Sequence, residues 1–329
     1  MAKCIIPALA LLCLLAGAAD AQWVWTPQTG RWINVGDLPK ETPELQIEHA
    51  RTLMLEGDYR AAWRETNKFT RYYGDSEYAA ENQFLRGEIR LAQGRLLDAA
   101  EQFQQVVAAY PESVLFDDVI EKQYAIGDQL YAEGLERMDR RWVFFRERPL
   151  RRAADVYTMV IDNEPFTTRA AEAQYKVGLT QYTRENYMEA AFEYRRVIED
   201  YGTSDWVDEA SYGLAQCYYE MSYPPDYDQS PSALAIMAIN DFQDRYPADE
   251  RNADLDDKRE EMRARIAQQR LQTAQYYERR REFESAKLSY QVVAREWPGT
   301  PAAETAQAWL DEHEHIVASP FRYQDVAAR

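Results

Sequence analysis

"GRLLDAAEQFQQVVAAYPES" (Gly94–Ser113) and "REFESAKLSYQVVAREWPGT" (Arg281–Thr300) are the same sentence in different letters. Each has a polar turn, a large apolar residue, an alanine, an aromatic residue four positions on, and an aromatic-Pro ending. Ala99 and Pro111 are twelve residues apart, as are Ala286 and Pro298. The interval recurs at Ala62–Gly74, Ala153–Pro165, Ala190–Gly202 and Ala235–Pro247. Four residues after the alanine stand Phe103, Tyr157, Tyr194 and Tyr290, with Ile239 and Thr66 as weaker versions. The end positions 74, 111, 165, 202, 247 and 298 are separated by steps of 37, 54, 37, 45 and 51 residues. The shorter step is close to the roughly 34-residue period of tetratricopeptide units, and the longer ones mark insertions.

The first halves fit the same pattern. Gly87 precedes Gly94 by seven residues, Gly178 precedes Glu185 by seven, and Gly213 and Ala274 stand in the corresponding helices. Small residues let two antiparallel helices approach while aromatic side chains interlock. Proline stops the second helix, because it has no N–H and clashes with the preceding turn. Thr42-Pro43 and Thr300-Pro301 read as helix starts, a cap residue followed by proline at the first helical position. The expected fold is an all-α tetratricopeptide-repeat solenoid of about six helix pairs, with a short aromatic N-terminal hairpin. One pair cannot bury its own apolar face, so each must carry the packing code of its neighbours.

Working outward, "CIIPALALLCLLAG" followed by "GAADAQ" reads as a secretory signal peptide over residues 1–21, cut after Ala21. Residues 22–41 form an aromatic extension, in which "WVWTPQTGRWINV" reads as two short strands about a turn. The repeat domain is expected over 42–317 and a tail over 318–329. The first insertion, "GLERMDRRWVFFRERPLRR", packs seven arginines between Arg137 and Arg152 into a chain of net charge −18. Arg137, Arg140, Arg141, Trp142, Phe144 and Arg146 are candidates for docking an acidic partner; a long helix with a snorkelling basic face is the plainer reading. "EMSYPPDYDQSPS" reads as a Tyr/Pro loop, and "ADERNADLDDKREEMRARI" as a helix extension striped by Leu255, Met262 and Ile266.

The charge excludes a phosphate-binding role on nucleic acid, which needs clustered Lys and Arg. Cys217 is the one cysteine after the leader and stands in an apolar helical context, so it reads as a small buried hydrophobe. His313 and His315 are two apart on a helix and do not face each other. No zinc set, phosphate loop, G-x-S-x-G or calcium loop is present. No catalytic, metal or cofactor residue is expected, and the chain reads as a binding protein and not an enzyme. By position in the unit, Ile47, Arg51, Met54, Phe84, Glu88, Leu91, Tyr175, Leu179 and Tyr182 are candidates for a groove holding an extended peptide.

From Val207 to Thr300 the chain resembles the BamD family of outer membrane β-barrel assembly proteins. The resemblance is carried by "INDFQDRYP", by the helix running through "IAQQRLQTAQYYERR" and by "YQVVAREWPGTPAAETA". It implies a periplasmic scaffold on the inner face of the outer membrane; because Ala18 stands where the lipidated cysteine would be, membrane contact is expected to be peripheral at most. The implied partners are the periplasmic domains of a barrel-inserting, BamA-like subunit and unfolded outer membrane proteins. It also implies that early repeats hold substrate and later ones meet the central subunit. Three departures stand beside it: six repeats instead of five, the extra hairpin, and Ala18 after Leu15-Ala16-Gly17, where family members carry a lipidated cysteine. The alternative is a cell-envelope repeat protein of the CpoB type that coordinates wall synthesis and division.

Overall fold

The structure is a computed structural model that describes residues 23–26, 31–34, 38–138 and 147–316. Among these residues there are thirteen helices and one two-stranded hairpin. The strands are β1 (Trp23–Thr26) and β2 (Arg31–Asn34). The first five helices are α1 (Pro43–Leu55), α2 (Tyr59–Tyr73), α3 (Ala79–Ala92), α4 (Leu96–Ala109) and α5 (Phe116–Met138). Then come α6 (Arg148–Asn163), α7 (Thr168–Thr183), α8 (Tyr187–Asp200), α9 (Val207–Glu220) and α10 (Ser230–Arg245). The last three are α11 (Asn252–Arg279), α12 (Phe283–Glu296) and α13 (Pro301–Glu312). They form six consecutive pairs and a final helix, the expected all-α tetratricopeptide-repeat solenoid. The chain divides into two compact units, the first ending at Lys122 and the second beginning at Gln123. Within the first, each helix from α1 to α4 packs on the next, and α1 also touches α3. Within the second, the same holds from α6 to α13, with further contacts of α7 with α9 and α11 with α13. First helices thus touch across one intervening helix, as stacked pairs require.

The packing code is visible atom by atom. A Cβ on Gly87 would stand 2.4 Å from Cε1 of Phe103, one on Gly127 2.6 Å from Cε1 of Tyr157, and one on Gly178 2.8 Å from Cδ1 of Tyr194. In these three pairs the second helix therefore presses its aromatic ring onto bare backbone of its own first helix. All six spaced alanines (Ala62, Ala99, Ala153, Ala190, Ala235 and Ala286) are fully buried. Gly213 plays a different part from the one its motif indicates. It makes room for Tyr194 of the preceding pair, its added Cβ falling 2.7 Å from Cε2. The position equivalent to Gly178, counted from the end of the previous second helix, is Ala215, which is buried. Tyr194 is thus held between the backbones of α7 and α9.

Local chemistry sets the ends of the helices. Thr42, Thr167 and Thr300 cap α1, α7 and α13 through their hydroxyls, and Asp58 caps α2. The turn inside a pair needs one left-handed residue. Gly57 and Gly94 supply it freely, while Glu185 and Arg281 adopt it at φ 62°. A side chain in that region costs about 1 kcal/mol relative to glycine.

The second and third insertions take the expected forms. α5 is lengthened to 23 residues before the basic stretch, whose residues 139–146 lie outside the described residues, as do 1–22 and 317–329. The Tyr/Pro loop docks on α11: Gln269 donates to the Tyr227 carbonyl (2.8 Å), Gln272 to Asp226 (2.9 Å), and Arg265 to the Ser222 carbonyl (2.9 Å). The third becomes the 28-residue α11, with Leu255 and Met262 fully buried and Ile266 half-buried. In the hairpin, Trp25 faces Trp32 across the strands with ring centroids 5.7 Å apart, and both stay exposed.

Gly87→Ala tests the code. Alanine favours helix by about 1 kcal/mol, but the new methyl must displace a packed ring, an overpacking cost of about 1–3 kcal/mol. Urea denaturation should show net destabilisation, partly reversed by adding Phe103→Leu.

Candidate functional site

Candidate binding residues lie on the first helices of both units. In the first unit, α1 and α3 are tied by an ion pair between Arg51 Nη2 and Glu81 Oε1 at 2.7 Å. Arg51 is exposed, and Met54 is half-buried against the core beneath. Ile47 belongs to that core itself, at 3 % exposure, with Ala50, Phe69, Leu85 and Ile89. Phe84 leans on Phe103 at 5.1 Å, and Leu91 is half-buried. Burial pushes the Glu88 carboxyl above its ordinary range, with Lys122 and Arg51 pulling the other way. Arg51 and Glu88 therefore sense each other, and this face of the first unit offers a cation beside a half-buried acid.

In the second unit, Tyr175, Leu179 and Tyr182 share one face of α7, all half-buried. Tyr175 stacks on Trp206 at 5.0 Å, and its hydroxyl is pushed up to about 12, by burial first. Tyr182 is one rung of a ladder that the groove candidates only partly name. Tyr131, Tyr182 and Tyr219 hold the same position on α5, α7 and α9. The hydroxyls of Tyr131 and Thr183 meet at 3.1 Å; Tyr182 donates to Gln216 (3.1 Å) and Tyr219 to Glu261 (2.7 Å). Each tyrosine thus grips the first helix of the next pair. The signal for Tyr131 and Tyr219 was present in the sequence. Tyr124/Tyr131, Tyr175/Tyr182 and Tyr212/Tyr219 are all seven apart. On α11 the ladder position is Glu278, which accepts from Tyr290 (2.6 Å) and from the Trp309 indole (2.9 Å).

Ion pairs add further links within the second unit. Lys176 joins Asp128 at 2.7 Å, and Tyr157 donates to the same carboxylate at 2.6 Å. Arg251 gathers Asp249 (2.7 Å), Glu209 (3.0 Å) and Asp208 (3.4 Å), and lies over the Tyr212 ring at 4.9 Å. Its guanidinium is held above the ordinary range, by the Asp249 hydrogen bond first. Cys217 is fully buried, and burial pushes its thiol up to about 12, so it packs as a hydrophobe. No three His, Cys, Asp or Glu side chains converge as a metal site among the described residues. Nor is any helix there long and apolar enough to cross a membrane.

Of the docking candidates, Arg137 is exposed in the last turn of α5. Arg140, Arg141, Trp142, Phe144 and Arg146 fall outside the described residues.

Tyr182→Phe removes one rung. A neutral hydrogen bond contributes about 0.5–1.5 kcal/mol, and chemical denaturation should show a loss of that size. For Glu88, a folded-state pKa above the unfolded one means stability falls as pH rises through the folded value. Glu88→Gln should therefore be more stable than the parent above that pH and match it at acid pH, read by denaturation across a pH series.

Comparison with known proteins adds three findings. A family profile described as outer membrane lipoprotein, YfiO, matches residues 128–317, and a tetratricopeptide repeat profile matches 81–113. The outer membrane protein assembly factor BamD of Caulobacter vibrioides is 26% identical over 149 residues, covering 45% of this chain and 46% of that protein. The matched stretch thus spans about half the length of that relative. Among solved structures, the C-terminal part of a TPR repeat-containing protein from Cytophaga hutchinsonii is 16% identical over 81% of this chain and 88% of that one, with a TM-score of 0.34. A tetratricopeptide repeat protein from Parabacteroides merdae is 17% identical over 82% and 97%, with a TM-score of 0.31.

Proposed function

The chain belongs to the YfiO outer membrane lipoprotein family, and from that premise we propose that it is a non-enzymatic periplasmic scaffold in outer membrane β-barrel assembly. The observation that carries this reading is the family match over 128–317, which covers most of the second compact unit and its tyrosine ladder. A ladder of inter-pair hydrogen bonds stiffens a surface without activating any group on it. That suits recognition, where ordering entropy is best removed before the partner arrives. The partners in this reading are the periplasmic domains of a BamA-like barrel-inserting subunit and unfolded outer membrane proteins. Arg51, Glu88 and Leu91 in the first unit, and Leu179 with the exposed edges of Tyr175 and Tyr182 in the second, are the surfaces offered to them. In this reading the N-terminal leader exports the chain to the periplasm, and its partners hold it at the inner face of the outer membrane.

The basic stretch after α5 is the proposed electrostatic contact. Seven arginines against two acids in a chain of −18 form a local charge reversal. Such patches raise association rates and fix orientation.

Affinity purification of the full chain from its native envelope tests the role. Recovery of the barrel-inserting subunit is expected; recovery of wall-synthesis or division enzymes in its place overturns it. Arg140→Glu/Arg141→Glu/Arg146→Glu should weaken that association by about tenfold or more and flatten its salt dependence. An unchanged affinity removes the basic stretch from the interface.

A further inference from the structure

Trp63 on α2 carries two guanidinium groups over its ring. Arg86 Cζ lies 4.2 Å from the ring centroid and Arg90 Cζ 3.7 Å. The arginines are one turn apart on α3, so they repel each other. Burial, then Arg90, pulls Arg86 below the ordinary guanidinium range, and burial, then Arg95, does the same to Arg90. Their hydrogen bonds go to neutral amides. Arg86 donates from Nε to Gln102 Oε1 (3.2 Å) and from Nη1 to Asn67 Oδ1 (2.8 Å), and Arg90 donates from Nη1 to Gln93 Oε1 (3.0 Å). No carboxylate pairs with either one among the described residues. The neighbouring acid Asp98 is taken by Arg95. In a protein with 56 acidic residues against 38 basic ones, two adjacent cations with no carboxylate in ion-pair contact are out of character; Asp98 acts on Arg90 only from beyond that contact. A cation–π contact stabilises one guanidinium on an indole by about 0.5–2 kcal/mol; it does not account for placing a second beside it.

Their place in the repeat indicates what they line. Arg86 and Arg90 follow Gly74 by twelve and sixteen residues, as Leu214 and Tyr218 follow Gly202. In the second unit those two residues lie in a cleft of about 300 Å³ between α8 and α10, with Ile198, Met237 and Phe242. That cleft also holds Arg195, Glu199, Asp241 and Arg245; where it has Leu214 and Tyr218, the first unit has Arg86 and Arg90. The position is separate from the Arg51–Glu88 face, because Glu88 lies midway between the two arginines in sequence and about 200° around α3 from Arg86.

We infer that Arg86 and Arg90, seated on Trp63, form a receptor for a carboxylate side chain of a partner protein. Two guanidinium forks match a planar carboxylate, which gains bidentate, charge-assisted hydrogen bonds. The rim is amide-rich. Gln83 Nε2 donates to the Gln102 carbonyl (2.9 Å) and to Gln105 Oε1 (3.0 Å), groups suited to the peptide around an acidic residue. A net charge of −18 repels polyanions such as an anionic bilayer or nucleic acid far more than it repels a single carboxylate. The site is independent of the assembly role, since any acidic segment with this geometry would fill it.

The test is 19F NMR of the full chain labelled with 5-fluorotryptophan, with the Trp63 signal assigned through Trp63→Phe. The probes, at constant ionic strength, are acetyl-Gly-Glu-Gly-amide, the neutral acetyl-Gly-Gln-Gly-amide, inorganic phosphate and phosphatidylglycerol vesicles. The Trp63 signal should move saturably with the Glu peptide, with a Kd on the order of millimolar, and about tenfold more weakly with the Gln peptide. Arg86→Gln/Arg90→Gln should abolish the shift. Arg86→Lys/Arg90→Lys, which keeps both charges and guards against loss of fold, should weaken it. Equal responses to the two peptides, no saturation, or a tighter response to phosphate or vesicles than to the Glu peptide would overturn the inference.

Discussion

Everything in this molecule depends on how closely two helices can approach. Phe103 against Gly87, Tyr157 against Gly127 and Tyr194 against Gly178 leave no room for a methyl group. That contact sets the spacing inside a pair, and the pair sets what its neighbour can bury. Tyr194 shows the next level, since its ring is shared by the backbones of two successive first helices, α7 and α9. Around that ring the core runs on without a break, from Ala190 and Val197 of the fourth pair through Cys217 and Phe242 of the fifth to Leu255 and Met262 of the sixth, so neighbouring pairs are buried together.

The second level of order is polar. Tyr131, Tyr182 and Tyr219 hand hydrogen bonds from one first helix to the next. These tyrosines are amphipathic in use: the ring packs on the helix pair and the hydroxyl reaches out of it. Arg251 reinforces the junction between the fifth and sixth pairs by collecting three carboxylates. A face held this way has few free rotamers. That is a physical reason why half-buried aromatic side chains on this face do not collapse inward.

The repeat was legible in the sequence because its signal is periodic. The alanine at a fixed distance from proline or glycine located all six second helices. The capping threonines at 42 and 300 marked two starts. Legibility failed where one residue type serves two neighbours. Gly213 looks like the small residue of its own helix, but it accommodates Tyr194, because the fifth pair uses Ala215 for that purpose. Gly127 escapes the spacing rule because the third first helix is lengthened and its count from Pro111 is shifted. Groove residues were harder still. A helix face read from position alone does not reveal that Ile47 turns into the core, or that Arg51 is held by Glu81. The Arg86–Arg90–Trp63 cluster had no sequence signal at all, since its parts come from different pairs and meet only after stacking.

The length of α11 has a mechanical meaning. At 1.5 Å per residue, its 28 residues make a rod of about 42 Å. The N-terminal half is gripped by Tyr219 and Gln243 of the fifth pair, and the C-terminal half supplies Leu271 and Ala274 to the core of the sixth. No loop interrupts it, so there is no joint at which these pairs could bend apart. A displacement of the fifth pair reaches the sixth through one unbroken helix and not across a loop.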